Sequence, residues 1–113
     1  MTMPLTAAVL TVSDAGARGE REDTAGPAVA RMLADAAFEV VRTAIVPDDQ
    51  VAIVDHLDRW STEGVALILT AGGTGLSPRD RTPEATRLVI EYEVPGIPEA
   101  MRAAYASKLP AAM

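Results

Sequence analysis

The segment Gly72-Gly-Thr-Gly75 is the part of this 113-residue chain whose residue types point most directly to binding chemistry. Glycines accept positive φ and leave the backbone uncovered, so successive N–H groups can surround an anion, and the Thr74 hydroxyl adds a donor. A tight turn that needs glycine for backbone reasons alone is the simpler alternative. The segment directly follows the apolar run 65–70, which favours a phosphate site. The candidate ligand-binding residues here are Gly72, Gly73, Thr74 and Gly75.

Carboxylates stand at three further places where chemistry could occur. Ser13 and Asp14 follow one apolar run, Asp48 and Asp49 follow another, and Asp80 comes shortly after the glycine segment. A helix cap, worth about 1 kcal/mol, accounts for one of the two adjacent aspartates, and Asp80 could be a structural carboxylate near a helix start. A carboxylate ~4 Å from a phosphate charge repels it by about 4 kcal/mol at an effective dielectric near 20. Carboxylates facing a phosphate site therefore predict an intervening Mg²⁺ with oxygen ligands.

Other polar and aromatic residues give less specific signals. Arg79 could pair with a phosphate or equally with a neighbouring carboxylate, and Arg18 and Arg21 are expected to be solvated charges that could close over a ligand. His56 has no second histidine and no cysteine near it, so it is interpreted as a surface or partly packed side chain rather than a metal ligand. Trp60 is expected in the core.

The order of apolar and polar segments predicts the elements that must position these residues. Strands are expected at residues 7–12, 38–46 and 65–70, a loop at 15–24, and helices beginning at Gly26-Pro27, after Asp49, at Thr82-Pro83-Glu84 and near Pro98. The helices are expected to bury faces that include Val29, Met32, Leu33 and Ala36, then Ile53, Val54, Leu57 and Trp60, then Ala85, Leu88, Val89 and Tyr92, and finally Met101, Ala104 and Tyr105.

This alternation of strands and helices favours one α/β domain over residues 1–113, with three α/β/α layers and a mainly parallel sheet. The run 65–70 is apolar on both faces, so it is expected to be a central strand. Ligands gather beyond the carboxyl ends of parallel strands. The polar clusters that follow the three strands are therefore expected to meet at one edge of the sheet.

The overall composition excludes several classes of function. A net charge of −6 argues against nucleic acid as the main partner, since such binding is driven by cationic side chains. Without cysteine there can be no disulfide, thiolate zinc site or iron–sulfur cluster. The start of the chain does not read as a signal peptide and no apolar run is long enough to cross a membrane, so a cytoplasmic location is expected.

Six segments together carry a resemblance to a known family. They are Thr11-Val-Ser-Asp14, Asp23-Thr-Ala-Gly-Pro27, Ile45-Val-Pro-Asp-Asp49, Leu69-Thr-Ala-Gly-Gly-Thr-Gly75, Pro78-Arg-Asp-Arg-Thr-Pro-Glu-Ala-Thr86 and Pro95-Gly-Ile-Pro-Glu-Ala-Met-Arg102. In this order they resemble the molybdopterin-binding family, which includes adenylyltransferases of molybdenum cofactor biosynthesis. The resemblance implies transfer of AMP from ATP to molybdopterin with release of pyrophosphate, and a homo-oligomer that is often a trimer and sometimes a hexamer.

The resemblance also implies roles for individual residues. Asp48 and Asp80 would be the essential acidic residues that organise Mg²⁺ and the phosphates, while Ser13 and Asp14 would lie near the pocket lined by residues 72–75. The family continues beyond the equivalent of Met113, so the chain is expected to lack the C-terminal part, either because the sequence is truncated or because it is a naturally shortened member. Two alternatives stay open: a non-catalytic molybdopterin-binding or scaffolding module, and a nucleotide-binding α/β protein whose substrate is not a pterin.

Overall fold

The computed structural model describes residues 4–20, 22–72 and 81–90, together with residues 99, 100 and 103. Three strands and four helices lie within the first three of these ranges. In chain order they are β1 (Thr6–Val12), α1 (Asp14–Ala17), α2 (Ala25–Asp35), β2 (Glu39–Val46), α3 (Gln50–Thr62), β3 (Leu67–Ala71) and α4 (Thr82–Val89).

The described strands form a parallel sheet in the order β2-β1-β3. Leu10 of β1 is in register with Ala44 of β2 and with Thr70 of β3. The predicted parallel pairing is confirmed, but the expectation that the third strand is central is wrong for the described sheet, where β1 lies between the other two. The cause is that the apolar composition of a segment does not determine which strands pair with it: β1 is almost fully buried, whereas Leu69 of the equally apolar β3 is 36% exposed.

Successive residues of β1 face opposite sides of the sheet, as the two-residue strand period requires. Ala8, Leu10 and Val12 pack into a core with α3 and α4, while Ala7 and Val9 pack against α2. The larger core contains buried residues of both helices, which are Ile53, Leu57, Trp60 and Ala85. One helix on one face and two on the other make the predicted three layers.

The predicted helices are present, but their apolar faces are narrower than the sequence suggests. In α2 only Leu33 of the expected apolar set is fully buried, whereas Met32 is 69% exposed and Ala36 is also exposed. Leu88 of α4 is likewise exposed. Hydrophobic spacing identifies the side of a helix that faces the sheet, but a single helix covers only the few residues at its line of contact. These inner-face assignments were therefore too broad.

Two further expectations concern the loop after β1 and the end of the chain. The loop predicted at 15–24 begins instead with the short helix α1, because the Ser13 hydroxyl accepts a hydrogen bond from the Gly16 amide at 3.0 Å and so caps it. Residues 99, 100 and 103 are helical, in agreement with a last helix near Pro98. The residues expected to form the apolar faces in this region, Tyr92, Met101, Ala104 and Tyr105, lie outside the described residues. No helix in the described ranges is both long enough and apolar enough to cross a lipid bilayer.

Candidate functional site

The carboxyl ends of the three strands meet at one edge, as predicted, and direct contacts connect them. Ser13 and Asp14 follow β1, and Asp48 follows β2. The Asp14 carboxylate accepts a hydrogen bond at 3.0 Å from the backbone amide of Asp48, and the Ser13 amide donates to the Val46 carbonyl at 2.9 Å. The polar residues after β1 and β2 therefore form one continuous surface.

The two adjacent aspartates after β2 have different structural roles. Asp49 is the N-cap of α3, where its carboxylate accepts a hydrogen bond from the Ala52 amide at 3.1 Å, as the capping interpretation predicted for one of the pair. Asp48 is only 6% exposed, and its Oδ1 atom accepts from the backbone amide of Arg81 at 2.8 Å. Asp48 thus links the end of β2 to the residue that follows Asp80.

Gly72 needs to be glycine at the end of β3. Its φ is +91°, and a Cβ atom there would overlap the carbonyl oxygen of Val12, the last residue of β1. The Gly72 carbonyl accepts a hydrogen bond at 3.1 Å from the hydroxyl of Thr82. Of the glycines in the candidate loop, this one therefore has a structural explanation, namely the close approach of two strand ends.

The start of α4 differs from the sequence expectation in one detail. Thr82 was expected to be able to cap the helix, but it is the first helical residue, Arg81 occupies the cap position, and no side chain makes a capping hydrogen bond there. The buried Thr82 hydroxyl is instead directed to Gly72, ten residues earlier. Pro83 lies in the first turn, as predicted.

Several predicted site residues lie outside the described residues: Gly73, Thr74, Gly75, Arg79 and Asp80. Their proposed roles therefore stay predictions. The described residues on either side of this segment are Gly72 and Arg81. The Gly72 carbonyl, at the end of β3, accepts from the Thr82 hydroxyl, and the Arg81 amide donates to the Asp48 carboxylate after β2. Of these two residues, Arg81 is hydrogen-bonded to Asp48, and Gly72 is hydrogen-bonded to Thr82, the neighbour of Arg81.

Two cavities open near this edge. The smaller, of about 250 Å³, lies between the ends of β1 and β3, and its lining includes Ser13, Gly16, Asp23 and Gly72. In the order β2-β1-β3 the chain changes direction across the sheet at β1, so this cavity occupies the crevice where open α/β sheets bind ligands. The larger, of about 480 Å³, lies between β1, β2 and the first turn of α2.

Asp23 stands at the boundary of the two cavities, and no role of its own was predicted for it from the sequence. One carboxylate oxygen accepts a hydrogen bond from the Gly26 amide at 2.9 Å, and the other accepts from the Thr11 hydroxyl at 3.1 Å. A Cβ atom on Gly26 would overlap the Asp23 carboxylate and the Thr11 hydroxyl, so any larger residue there would have to displace this pair. The spacing of an aspartate three residues before a helix-start Gly-Pro is a capping signal that could have indicated the first contact. Nothing local indicated the second.

The described donors suit Mg²⁺ better than a softer metal. The Asp14 carboxylate lies beside the backbone of Asp48, both residues carry oxygen ligands, and Mg²⁺ is commonly held by one or two carboxylates together with substrate phosphates. Within the described ranges no group of three or more acidic, histidine or cysteine side chains could hold a metal ion by itself. His56 packs against Trp60 with ring centroids 5.5 Å apart, and its Nδ1 lies 2.9 Å from the Ala52 carbonyl oxygen, as expected for a packed histidine.

The charged loop after α1 has a different electrostatic character from the sheet edge. Arg18 donates two hydrogen bonds to the Glu20 carboxylate, at 2.8 and 3.1 Å, and both side chains are exposed. These hydrogen bonds, and then the charge of Arg18, lower the pKa of Glu20 below its usual value. Arg18 is therefore engaged with its own loop rather than with the cavities. Arg21 lies outside the described residues.

Comparisons with known proteins agree with this arrangement. The family model described as a probable molybdopterin binding domain matches residues 8–111. The chain is 40% identical over 86 residues to a molybdopterin adenylyltransferase of Pyrococcus furiosus, covering 76% of this chain and 50% of that protein. It is 37% identical over 101 residues to the molybdenum cofactor biosynthesis protein B of Escherichia coli K12, covering 88% of this chain and 58% of that protein.

Solved structures show the same likeness in three dimensions. The molybdopterin biosynthesis enzyme MoaB from Thermus thermophilus superposes with a TM-score of 0.88 at 50% identity, covering 96% of this chain and 69% of that one. The chain spans about half the length of the curated relatives just described. Because the family model matches almost the whole sequence, this chain belongs to the probable molybdopterin binding domain family.

Proposed function

We propose that this chain acts in molybdenum cofactor biosynthesis, where it transfers AMP from ATP to molybdopterin and releases pyrophosphate. The observation that carries the proposal is the position of Asp48, buried beside Asp14 and joined to the residue after Asp80. The relative from Pyrococcus furiosus that is named a molybdopterin adenylyltransferase supports the reaction class.

The reaction forms a bond between the molybdopterin phosphate and the α-phosphate of ATP, and it releases pyrophosphate. An oxygen of the molybdopterin phosphate attacks the α-phosphorus of ATP, and the bond from that phosphorus to the bridging oxygen of pyrophosphate breaks. Pyrophosphate leaves with the electron pair of that bond, so no oxidant, reductant or external base is required. The task of the protein is to position two anionic reactants in line and to offset their charge.

The acidic character of the edge supports the requirement for a divalent cation. Asp14 and Asp48 lie together there, and Glu22 and Asp23 line the smaller cavity. At ~4 Å each such carboxylate repels a phosphate charge by about 4 kcal/mol at an effective dielectric near 20. Bound Mg²⁺ would reverse the sign of this interaction and neutralise charge on the phosphates. Asp48 and Asp80 are the proposed ligands, and Asp48 already has a fixed orientation through Arg81.

Asp14, Ser13 and the residues 72–75 complete the proposed site. The Ser13 hydroxyl, oriented by its hydrogen bond from Gly16, lines the smaller cavity together with Gly72. The backbone amides of Gly73, Thr74 and Gly75 are proposed to bind phosphate oxygens. Asp48 acts by positioning and charge and not as a nucleophile, because the nucleophile is supplied by the pterin.

The test is to incubate the folded chain with ATP, Mg²⁺ and molybdopterin and to measure adenylated pterin and pyrophosphate in equal amounts. We expect product from the unaltered chain and its loss when EDTA removes the cation, with recovery on addition of excess Mg²⁺. The Asp48→Asn variant should lose product while Asp49→Asn, one residue away and on the helix cap, should retain it. A folded chain that forms no adenylated pterin under these conditions contradicts the proposal.

A module that binds molybdopterin without turnover is the second candidate, since the matching family is described by binding and not by catalysis. The two differ in what Asp48→Asn does: the enzyme loses turnover, whereas the binding module has none to lose. Cytoplasmic location and assembly into a trimer are further proposals that come from the family resemblance. Light scattering on the purified chain measures the assembly directly.

A further inference from the structure

The larger cavity on the α2 side of the sheet has no role in the function proposed so far. Its walls are Val9 and Thr11 of β1, with Thr43 and Ile45, which are their register partners on β2, on one side. The first turn of α2 closes the other side with Gly26 and Pro27. At about 480 Å³ it falls within the range of ordinary small-molecule sites, which are largely apolar with a few polar groups.

The polar groups that line this cavity restrict the kind of ligand that it can bind. The Asp23 carboxylate can only accept hydrogen bonds when ionised, and the Thr11 hydroxyl already donates its proton to Asp23. A ligand group next to them must therefore bring N–H or O–H donors. Apolar walls with an acceptor at the rim suit a flat heterocycle that carries amino groups.

The larger cavity adjoins the smaller one, because the hydrogen-bonded pair Thr11 and Asp23 lines both. Strand residues rise by about 3.3 Å each, so Val9 in the larger cavity and Ser13 in the smaller lie roughly 13 Å apart along β1. A ligand that passes the Thr11–Asp23 pair would have one end in each cavity. Its ring would lie against Val9 and Ile45, and its phosphorylated end would reach the edge at Ser13.

We propose that the cavity between β1, β2 and α2 binds the amino-substituted ring of a phosphorylated heterocyclic ligand, and that Asp23 accepts a hydrogen bond from that ring. The inference rests on the proposed function, whose two substrates, ATP and molybdopterin, both contain such a ring. The shared chemistry is a planar nitrogen heterocycle with exocyclic amino donors, joined to a phosphate. Thr11 and the Gly26 amide hold Asp23 in place for this contact.

The experiment fills the cavity and measures binding by calorimetry with two probes, AMP and neopterin monophosphate. Thr43→Phe places an aromatic ring at the cavity from an exposed position of β2, so it should fold normally. The matched control is Val51→Phe, also exposed, on α3 across the sheet. We expect Thr43→Phe to weaken one probe at least roughly tenfold and Val51→Phe to change neither by more than about twofold. The weakened probe identifies the ring as adenine or as pterin.

Asp23→Asn tests the hydrogen bond separately. Its amide oxygen can still accept from Gly26, but the negative charge is lost, so the same probe should bind roughly tenfold more weakly. Inorganic phosphate alone should bind no more weakly to either variant than to the unaltered chain. Should Asp23→Asn fail to fold, Thr43→Phe decides the question alone.

Two results would overturn the inference: affinity in Thr43→Phe equal to that of the unaltered chain, or no binding of either probe to the unaltered chain. The AMP-transfer assay is judged separately. If Thr43→Phe still transfers AMP and binds both probes as tightly as the unaltered chain does, the ring site is contradicted and the proposed function is not. If Thr43→Phe weakens probe binding but the unaltered chain shows no transfer activity, the ring site is supported and the adenylyltransferase proposal is contradicted.

Discussion

Asp48 and Arg81 are 33 residues apart in sequence, yet the Asp48 carboxylate accepts a hydrogen bond from the Arg81 backbone amide at 2.8 Å. The contact joins the end of β2 to the start of α4, and these two elements come before and after β3 in the sequence. Because Asp48 is almost completely buried, this hydrogen bond is shielded from water and fixes the direction of the carboxylate. One side chain thus supports the fold and is also a proposed ligand of the cation.

Substitutions at Asp48 should separate these two roles. Asp48→Asn keeps an oxygen that can accept from Arg81 but removes the charge, so we expect AMP transfer to fall by roughly 100-fold with a free energy of unfolding within about 1 kcal/mol of the unaltered chain. Asp48→Ala leaves the Arg81 amide without this acceptor and should cost about 1–3 kcal/mol in addition. Urea denaturation and the transfer assay measure the two effects. Equal activity of Asp48→Asn and the unaltered chain would contradict the catalytic role.

Asp49 provides a control that differs by one position. Asp49→Ala removes the cap of α3 and should lower the free energy of unfolding by about 1 kcal/mol, whereas Asp49→Asn, which retains a capping oxygen, should change it little. Neither variant should reduce transfer by the folded protein. A loss of activity in Asp49→Asn comparable to that in Asp48→Asn would mean that the division of roles between the two aspartates is wrong.

Gly72 and Gly64 offer a comparison of two glycines with nearly the same backbone conformation. Gly64 has φ +88° and open space where a Cβ would stand, so Gly64→Ala should cost only about 1–2 kcal/mol of backbone strain. Gly72 has φ +91°, and its Cβ would overlap the Val12 carbonyl oxygen, so Gly72→Ala should cost about 1–3 kcal/mol more. Thermal and urea unfolding measure the difference. Equal costs would show that the two strand ends can move apart freely.

The Arg18–Glu20 pair predicts a pH effect confined to the loop after α1. The pKa of Glu20 is lowered in the folded chain, so any stabilisation it gives is present above its unfolded pKa and is lost as the pH falls through the folded value. Both side chains are exposed, so the overall stability should hardly respond. Carboxyl NMR titration should place Glu20 below its usual pKa, and Arg18→Ala should restore it. A Glu20 titration unchanged by Arg18→Ala would exclude the contact in solution.

Much of this architecture can be predicted from sequence, because each strand and helix follows from a local pattern. The runs before Ser13 and Gly72 are apolar and short, and Asp49 stands where α3 requires a cap. The parallel arrangement then brings the polar residues after each strand to one edge. What could not be predicted are contacts between distant residues with no periodic signal: Thr82 with Gly72, and Thr11 with Asp23.

The position of β1 between β2 and β3 in the described sheet was not predicted either, for a related reason. Alanine is ambiguous in sequence, and Ala7 and Ala8 gave less reason to expect a central strand than the leucines of β3. In the structure those small side chains are fully buried. Which strand lies in the middle depends on pairing between segments far apart in sequence, and hydrophobicity along one segment does not report it.

The polar anchoring of α4 at its beginning has a consequence for how this helix opens. Arg81 and Thr82 are tied to the sheet edge, whereas Leu88 and Ile90 at the opposite end are substantially solvated. Local unfolding of the helix should therefore begin at its last turn and extend toward its first turn. Deuterium should replace the amide protons of the final turn well before that of Ala85, whose N–H donates to the Arg81 carbonyl.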